Sequence, residues 1–162
     1  MDLTFNFAEE SKKLTNLEVN ENCSSCDIGN FQEVQNYVME NKDINLKIPG
    51  KLFLNKFLNL TGAEISFGVL PAGMDYVSNH LHKENEEIYI VISGNGCLKA
   101  GDKEILLQEG SVVKVSTGVA RALKSTQANS LIYICIQVKE GSLSNYTLSD
   151  AEMLYIKRRI DL

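Results

Sequence analysis

The chain has no tryptophan, and its 162 residues include only two prolines and two histidines. So little proline argues against disordered or collagen-like composition. No run approaches the roughly 18 apolar residues of a membrane-spanning helix. The opening Met1-Asp2-Leu3-Thr4-Phe5 lacks the basic start and apolar core of an export signal. The expectation is a cytoplasmic protein without a membrane partner. A basic excess is also missing: Lys plus Arg number 16 against 21 Asp plus Glu, a net charge of −5. Sequence-independent nucleic-acid binding needs the opposite field, so no nucleic-acid partner is expected. The imbalance is local. Residues 1–50 carry nine acids and four bases, and the remainder carries twelve of each. Four cysteines are few enough for free thiols in a reducing compartment. Cys23-Ser-Ser-Cys26 lacks two further nearby zinc ligands, because Cys97 and Cys135 are isolated. It also lacks the strand-then-helix setting of a redox pair, so both are expected to be loop thiols.

What is present fits one domain of ordinary size. Residues 8–17 suggest a short helix. Residues 31–39 suggest another: Phe31, Val34, Tyr37 and Val38 form an apolar stripe, with Asn30 as N-cap and Glu33 completing a capping box. After Gly50 the pattern changes to short extended runs at 52–58, 64–70, 87–92, 97–100, 103–107, 111–115, 120–124 and 131–138. Turn signals separate them, with Asn95-Gly96 the strongest hairpin signal. Many short strands with regular turns indicate an all-β sandwich or barrel. Ser149 with Glu152 reads as a capping box for a C-terminal helix ending in Lys157, Arg158 and Arg159.

The two histidines are His80 and His82. At this spacing on a strand both face one side. Glu87 opens the next extended run. Two imidazoles and one carboxylate form the ligand set of an open metal site, suited to iron and, by ligand type, to zinc, manganese or nickel. An isolated His-x-His pair is more often an exposed polar face, so the frame around it matters. That frame is Gly73-x6-His80-x-His82-x4-Glu87-x6-Gly94. It resembles the first motif of the cupin superfamily, one residue longer than usual between the first glycine and the first histidine. Gly110-x5-Ser116-x-Gly118-x2-Arg121-x3-Ser125 resembles the second motif, with both glycines kept. Ser116 stands for the proline, Arg121 for the histidine and Ser125 for the asparagine. The resemblance covers about residues 50–140. It implies an antiparallel jelly-roll barrel with its site inside the mouth.

Arg121 is the departure that bears on chemistry, since a guanidinium is not a metal ligand. Three arrangements are open. Arg121 binds an anionic group of a substrate beside a metal held by His80, His82 and Glu87. Alternatively, Arg121 pairs with Glu87 and takes the metal's place. In the third, it points outward as a solvated charge. Strand alternation adds Tyr89 to the inward face with Glu87. It also puts Tyr133, Cys135 and Gln137 on one face of the last run, expected to line the pocket. The aliphatic face of Ile132, Ile134, Ile136 and Val138 is expected to pack between the sheets. The substrate-binding candidates are therefore Arg121, Tyr89, Tyr133 and Gln137.

The expectation is an all-β, antiparallel jelly-roll (cupin) β-barrel at 49–140. An N-terminal extension with a short helix precedes it at 1–48, and a tail with a short helix follows at 141–162. The expected function is binding of a small, anionic molecule, with a divalent transition metal (Fe, Mn, Zn or Ni) at His80, His82 and Glu87. The alternatives are a metal-free binding or sensing barrel and a degenerate structural dimer. A homodimer is expected in solution. The sequence leaves open whether the protein turns its ligand over.

Overall fold

The computed structural model describes residues 14–41 and 45–154. The N-terminal segment is built from two small hairpins. β1 (Thr15–Val19) pairs antiparallel with β2 (Ser24–Asp27). Asn20 closes their turn, its side-chain oxygen accepting from the amides of Asn22 and Cys23. The helix expected at 8–17 is therefore replaced by strand from Thr15, and residues 8–13 lie outside the described residues. Cys23 and Cys26 are free thiols as expected, but only Cys23 is in the turn. Cys26 lies on β2 and packs against buried apolar side chains.

The second expected helix is shorter and of another type. Phe31–Asn36 is a 3-10 helix with Asn30 as N-cap, its side chain accepting from the Gln32 amide. Phe31, Val34 and Tyr37 recur every three residues, which is the period of a 3-10 helix. Tyr37 is already extended (φ −85°, ψ 143°), and the chain continues as β3 (Val38–Asn41), paired with β4 (Leu46–Pro49). Val34 and Tyr37 are buried, as the stripe implied, whereas Phe31 and Val38 stay partly exposed.

The run at 52–58 divides. β5 (Lys51–Phe53) is a strand, and α1 (Asn55–Leu58) is one turn of helix closed by Asn59 in the left-handed region (φ 52°). Asparagine tolerates that conformation, so the turn ends there. Eight strands follow: β6 (Glu64–Leu70), β7 (Val77–His80), β8 (Asn85–Ser93), β9 (Gly96–Ala100), β10 (Lys103–Leu107), β11 (Val112–Val115), β12 (Arg121–Ser125) and β13 (Leu131–Lys139). Together with β5 they form two antiparallel sheets, ordered β10-β9-β12-β7 and β11-β8-β13-β6-β5. This is the expected all-β jelly-roll architecture, and the edge strands β5 and β7 flank the cavity described below.

The Asn95-Gly96 signal does not make a hairpin. β8 and β9 belong to different sheets, so this turn carries the chain across the barrel. Gly94 (φ +83°) passes so close to the start of β13 that a Cβ there would lie 1.8 Å from the Ser130 carbonyl oxygen. Gly101-Asp102, by contrast, joins the true hairpin β9–β10.

Side chains of both sheets meet in one core, including Tyr89, Val91, Leu98, Leu123, Leu131 and Cys135. A second core lies on the outer side of the five-stranded sheet, where Leu14, Val34 and Tyr37 cover Leu52, Val69 and Ile132. The expected packing of β13 is thus reversed. Its Tyr133 and Cys135 face meets the opposite sheet, and Ile132 turns outward beneath the N-terminal segment. Ile134, Ile136 and Val138 are half-buried on that outer side. The expected C-terminal helix does not start at Ser149. Its hydroxyl instead engages the backbone of Tyr146, and residues 151–154 have no regular structure. Lys157, Arg158 and Arg159 lie outside the described residues. Among the described residues, no helix is long and apolar enough to cross a membrane.

Candidate metal and ligand site

His80 ends β7, opposite Arg121 on β12. His82 lies in the bend that follows, so the two histidines do not share a strand as expected. The His82 carbonyl accepts from the Gly118 amide at 2.8 Å, tying this bend to the β11–β12 loop. The imidazoles nevertheless converge, with ring centroids 5.1 Å apart and planes at 87°. Glu87, near the start of β8, is 2% exposed. Its Oε1 lies 3.0 Å from His82 Nε2, and its Oε2 lies 4.0 Å from His80 Nε2. The Tyr89 hydroxyl donates to Oε2 at 2.7 Å, and the Cys135 thiol donates to Oε1 at 3.4 Å.

These contacts set the ionisation. Burial alone would raise the Glu87 pKa, but the Tyr89 hydrogen bond, the neighbouring His82 and the Arg121 charge outweigh it and hold the carboxyl below its ordinary value. Burial pushes His82 down; Arg121 and His80 add to that, against the pull of Glu87. Burial also raises the Tyr89 hydroxyl and carries the Cys135 thiol to about 12, so both remain donors. The set at neutral pH is thus a neutral imidazole at His82 and an ionised carboxylate at Glu87, the forms that bind metals.

One ligand atom from each of His80, His82 and Glu87 lies within 4.8 Å of the other two. Ligands about 2.1 Å from a shared ion sit roughly 3–4 Å apart, so a small rotation closes the set. The donor chemistry fits a divalent transition metal. Arg121 complicates the fit. It is 1% exposed, and its Nε lies 3.1 Å from Glu87 Oε2, so the outward, solvated arrangement is excluded. Nη2 reaches the Ser116 carbonyl at 3.4 Å, whereas Nε and Nη1 are buried without a hydrogen-bond partner. The pair is held by charge more than by hydrogen-bond alignment.

The centre opens into a cavity of about 790 Å³. Tyr89, Tyr133, Cys135 and Gln137 line it, as strand alternation anticipated, and so does Arg121. Lys51 and Glu64, which the sequence did not single out, line it too. Lys51 is aligned with Gly68 on β6, and Gly68 in turn with Tyr133 on β13. A Cβ on Gly68 would lie 2.2 Å from the Tyr133 ring, so the missing side chain lets that ring lie across the sheet toward Lys51. The Lys51 ammonium sits 4.8 Å from the Tyr133 ring centroid and 5.3 Å from that of Phe53. A mid-strand glycine marks such a close approach. It was the available signal, and it points to the neighbour rather than to the lysine. The β3–β4 hairpin supplies part of the remaining wall through Met39, Leu46, Ile48 and Pro49.

Comparison with known proteins agrees with this architecture. Residues 66–137 match the Cupin domain family. A cupin protein from Bacteroides fragilis shares 38% identity, covering 65% of this chain and 89% of its own, with a TM-score of 0.62. A protein from Photorhabdus luminescens, at 14% identity, covers 56% of this chain and 74% of its own with a TM-score of 0.50, a likeness of fold alone. No curated protein matches in sequence. With the motif residues gathered in one barrel and a relative this similar over most of its length, the chain belongs to the cupin superfamily.

Proposed function

We propose that this cupin binds a small anionic molecule beside one divalent transition metal (iron, manganese, zinc or nickel) held by His80, His82 and Glu87. The observation that carries the reading is the convergence of three donor atoms within 4.8 Å at a cavity large enough for a small organic molecule. A bound metal would supply Lewis acidity toward an oxygen of the ligand. The chain's own groups do the rest. Tyr89 holds the Glu87 carboxylate in orientation through Oε2, while Oε1 lies on the His82 side. Arg121 keeps the carboxylate ionised and adds positive charge beside Glu87. Gln137 offers an amide to the ligand. The deciding experiment is elemental mass spectrometry on wild type and the His80→Ala/His82→Ala double variant. Near-stoichiometric metal in the first and none in the second is the expected outcome. Equal metal in both would refute the assignment.

A second reading rests on the 3.1 Å approach of Arg121 to Glu87. In it the guanidinium replaces the metal, and the barrel binds or senses its ligand without one. Absence of metal from both proteins after reconstitution selects this reading. We further propose a homodimer in the cytoplasm. Size-exclusion chromatography with light scattering tests the dimer, and a monomer at micromolar concentration refutes it. Fractionation of cells expressing the full chain tests the compartment.

A further inference from the structure

Three Lys and Arg side chains line the cavity, Lys47, Lys51 and Arg121, and they are in unlike states. Arg121 is paired with Glu87. Lys51 is not paired: Lys47, Lys114, Lys124 and Lys139 each meet a carboxylate within 4.0 Å, while among the described residues none meets Lys51. It is held instead by the faces of Tyr133 and Phe53 and by a hydrogen bond to Tyr133, while Glu87 and Glu64 act on its charge only from beyond 4.0 Å. Burial by itself would lower its pKa; the Tyr133, Cys135 and Glu87 groups more than offset this, and the net shift is upward. It is therefore a permanent cation, unsuited to act as an amine nucleophile.

The strand register shows where this cation sits along the cavity. Glu87, Gln137 and Glu64 form one row across β8, β13 and β6. Tyr89, Cys135 and Ser66 form the next inward-facing row. Val91, Tyr133, Gly68 and Lys51 form the third. Beyond it Leu131 faces Leu70, and Leu70 joins the apolar wall made with Met39, Leu46, Ile48, Pro49 and Met74. Lys51 thus stands at the boundary between the ionisable end and the apolar end. A ligand that neutralises it and fills the wall has a charged head and an apolar body.

We propose that Lys51, supported by Tyr133, is the anion-docking residue of this site, and that its ligand is a carboxylate with an apolar body. The body lies against the β3–β4 hairpin, and the carboxylate is presented toward the His80–His82–Glu87 centre. This rests on the reading that the barrel binds an anionic small molecule, but not on the presence of a metal. β5 and the hairpin both lie outside residues 66–137, so the specificity is set by segments beyond the matched region.

The test uses the full chain and two probes matched in shape, 4-phenylbutyrate and its neutral amide, measured by isothermal titration. Wild type is expected to bind the acid at least tenfold more tightly than the amide. Lys51→Met, which keeps the stem against the rings, is expected to bring the two within about twofold. Lys51→Arg keeps the charge and is expected to retain the preference, which separates loss of docking from loss of fold. Wild type stripped of metal with a chelator is expected to keep the preference, so failure of the metal reading leaves this inference standing. No binding of the acid to wild type at millimolar concentration would overturn the proposal. So would no preference in wild type, or an undiminished preference in Lys51→Met.

Discussion

The two faces of β13 have opposite characters. The face toward the opposite sheet carries Tyr133, Cys135 and Gln137, and the face away from it carries Ile132, Ile134 and Ile136. In an ordinary half-buried sheet the aliphatic face would be the inner one. Here the inner face divides its length between a packed end, at Leu131, and a cavity end, at Gln137. Among the described residues, the N-terminal segment covers the outer face at Ile132. The lesson is that a barrel with a site inside places polar groups inward and satisfies them there. The aliphatic row then needs a cover from elsewhere in the chain.

The largest test of this contrast is Glu87→Gln, on the inner face. Glutamine keeps the shape but leaves the buried Arg121 without its counter-charge. Breaking such a pair costs on the order of 3–5 kcal/mol. Urea denaturation of the metal-free proteins should show it, and a loss below 1 kcal/mol would mean that the cavity solvates Arg121. On the outer face, Ile132→Ala should cost roughly 2–5 kcal/mol, the range for truncating a buried isoleucine. Ile134→Ala, half-buried and away from that cover, should cost less than half as much. Equal costs would show that the whole row is covered in solution.

Acidification comes next in size. A depressed carboxyl such as Glu87 contributes stability that is present above the unfolded pKa and lost as pH falls through the folded one. His82, depressed below 6.5, takes its proton first in the unfolded chain, so stability also falls as pH drops below 6.5. The melting temperature of metal-free protein should therefore decline from pH 6.5 downward, and His82→Gln should flatten the first part of that decline. A slope unchanged in the variant would assign the effect elsewhere. The smallest effect belongs to a site touching neither face. Leu106 is 84% exposed on β10, and Leu106→Gln should shift stability by no more than about 0.5 kcal/mol.

Much of this was legible in the sequence where the signal is local. The strands at 64–70 and 103–107 have the bounds that alternation gave them, because period and turns act within a few residues. His80, His82 and Glu87 could be grouped because the chain has no other histidine. What stayed illegible depends on distant partners. Lys51 reads as an ordinary surface lysine until β5 is paired across Gly68 with the row of Tyr133. Asn95-Gly96 reads as a hairpin until β8 and β9 are found in different sheets. The stripe around Phe31–Asn36 is buried at Val34 and Tyr37 but exposed at Phe31 and Val38, and the helix is of the 3-10 type, since spacings of three serve both helices over so short a run.

The position of β13 has a consequence for how the protein is made. It is the middle strand of its sheet, between β8 and β6, yet it is the last barrel strand to be synthesised. Until residue 139 has emerged from the ribosome, β6 and β8 have no common partner and each presents an open edge. The barrel must therefore close in a late step that joins segments far apart in sequence, the kind of topology that folds slowly. A nascent chain halted in the β12–β13 connection would expose two unpaired strand edges, and that is the state a chaperone would need to shield.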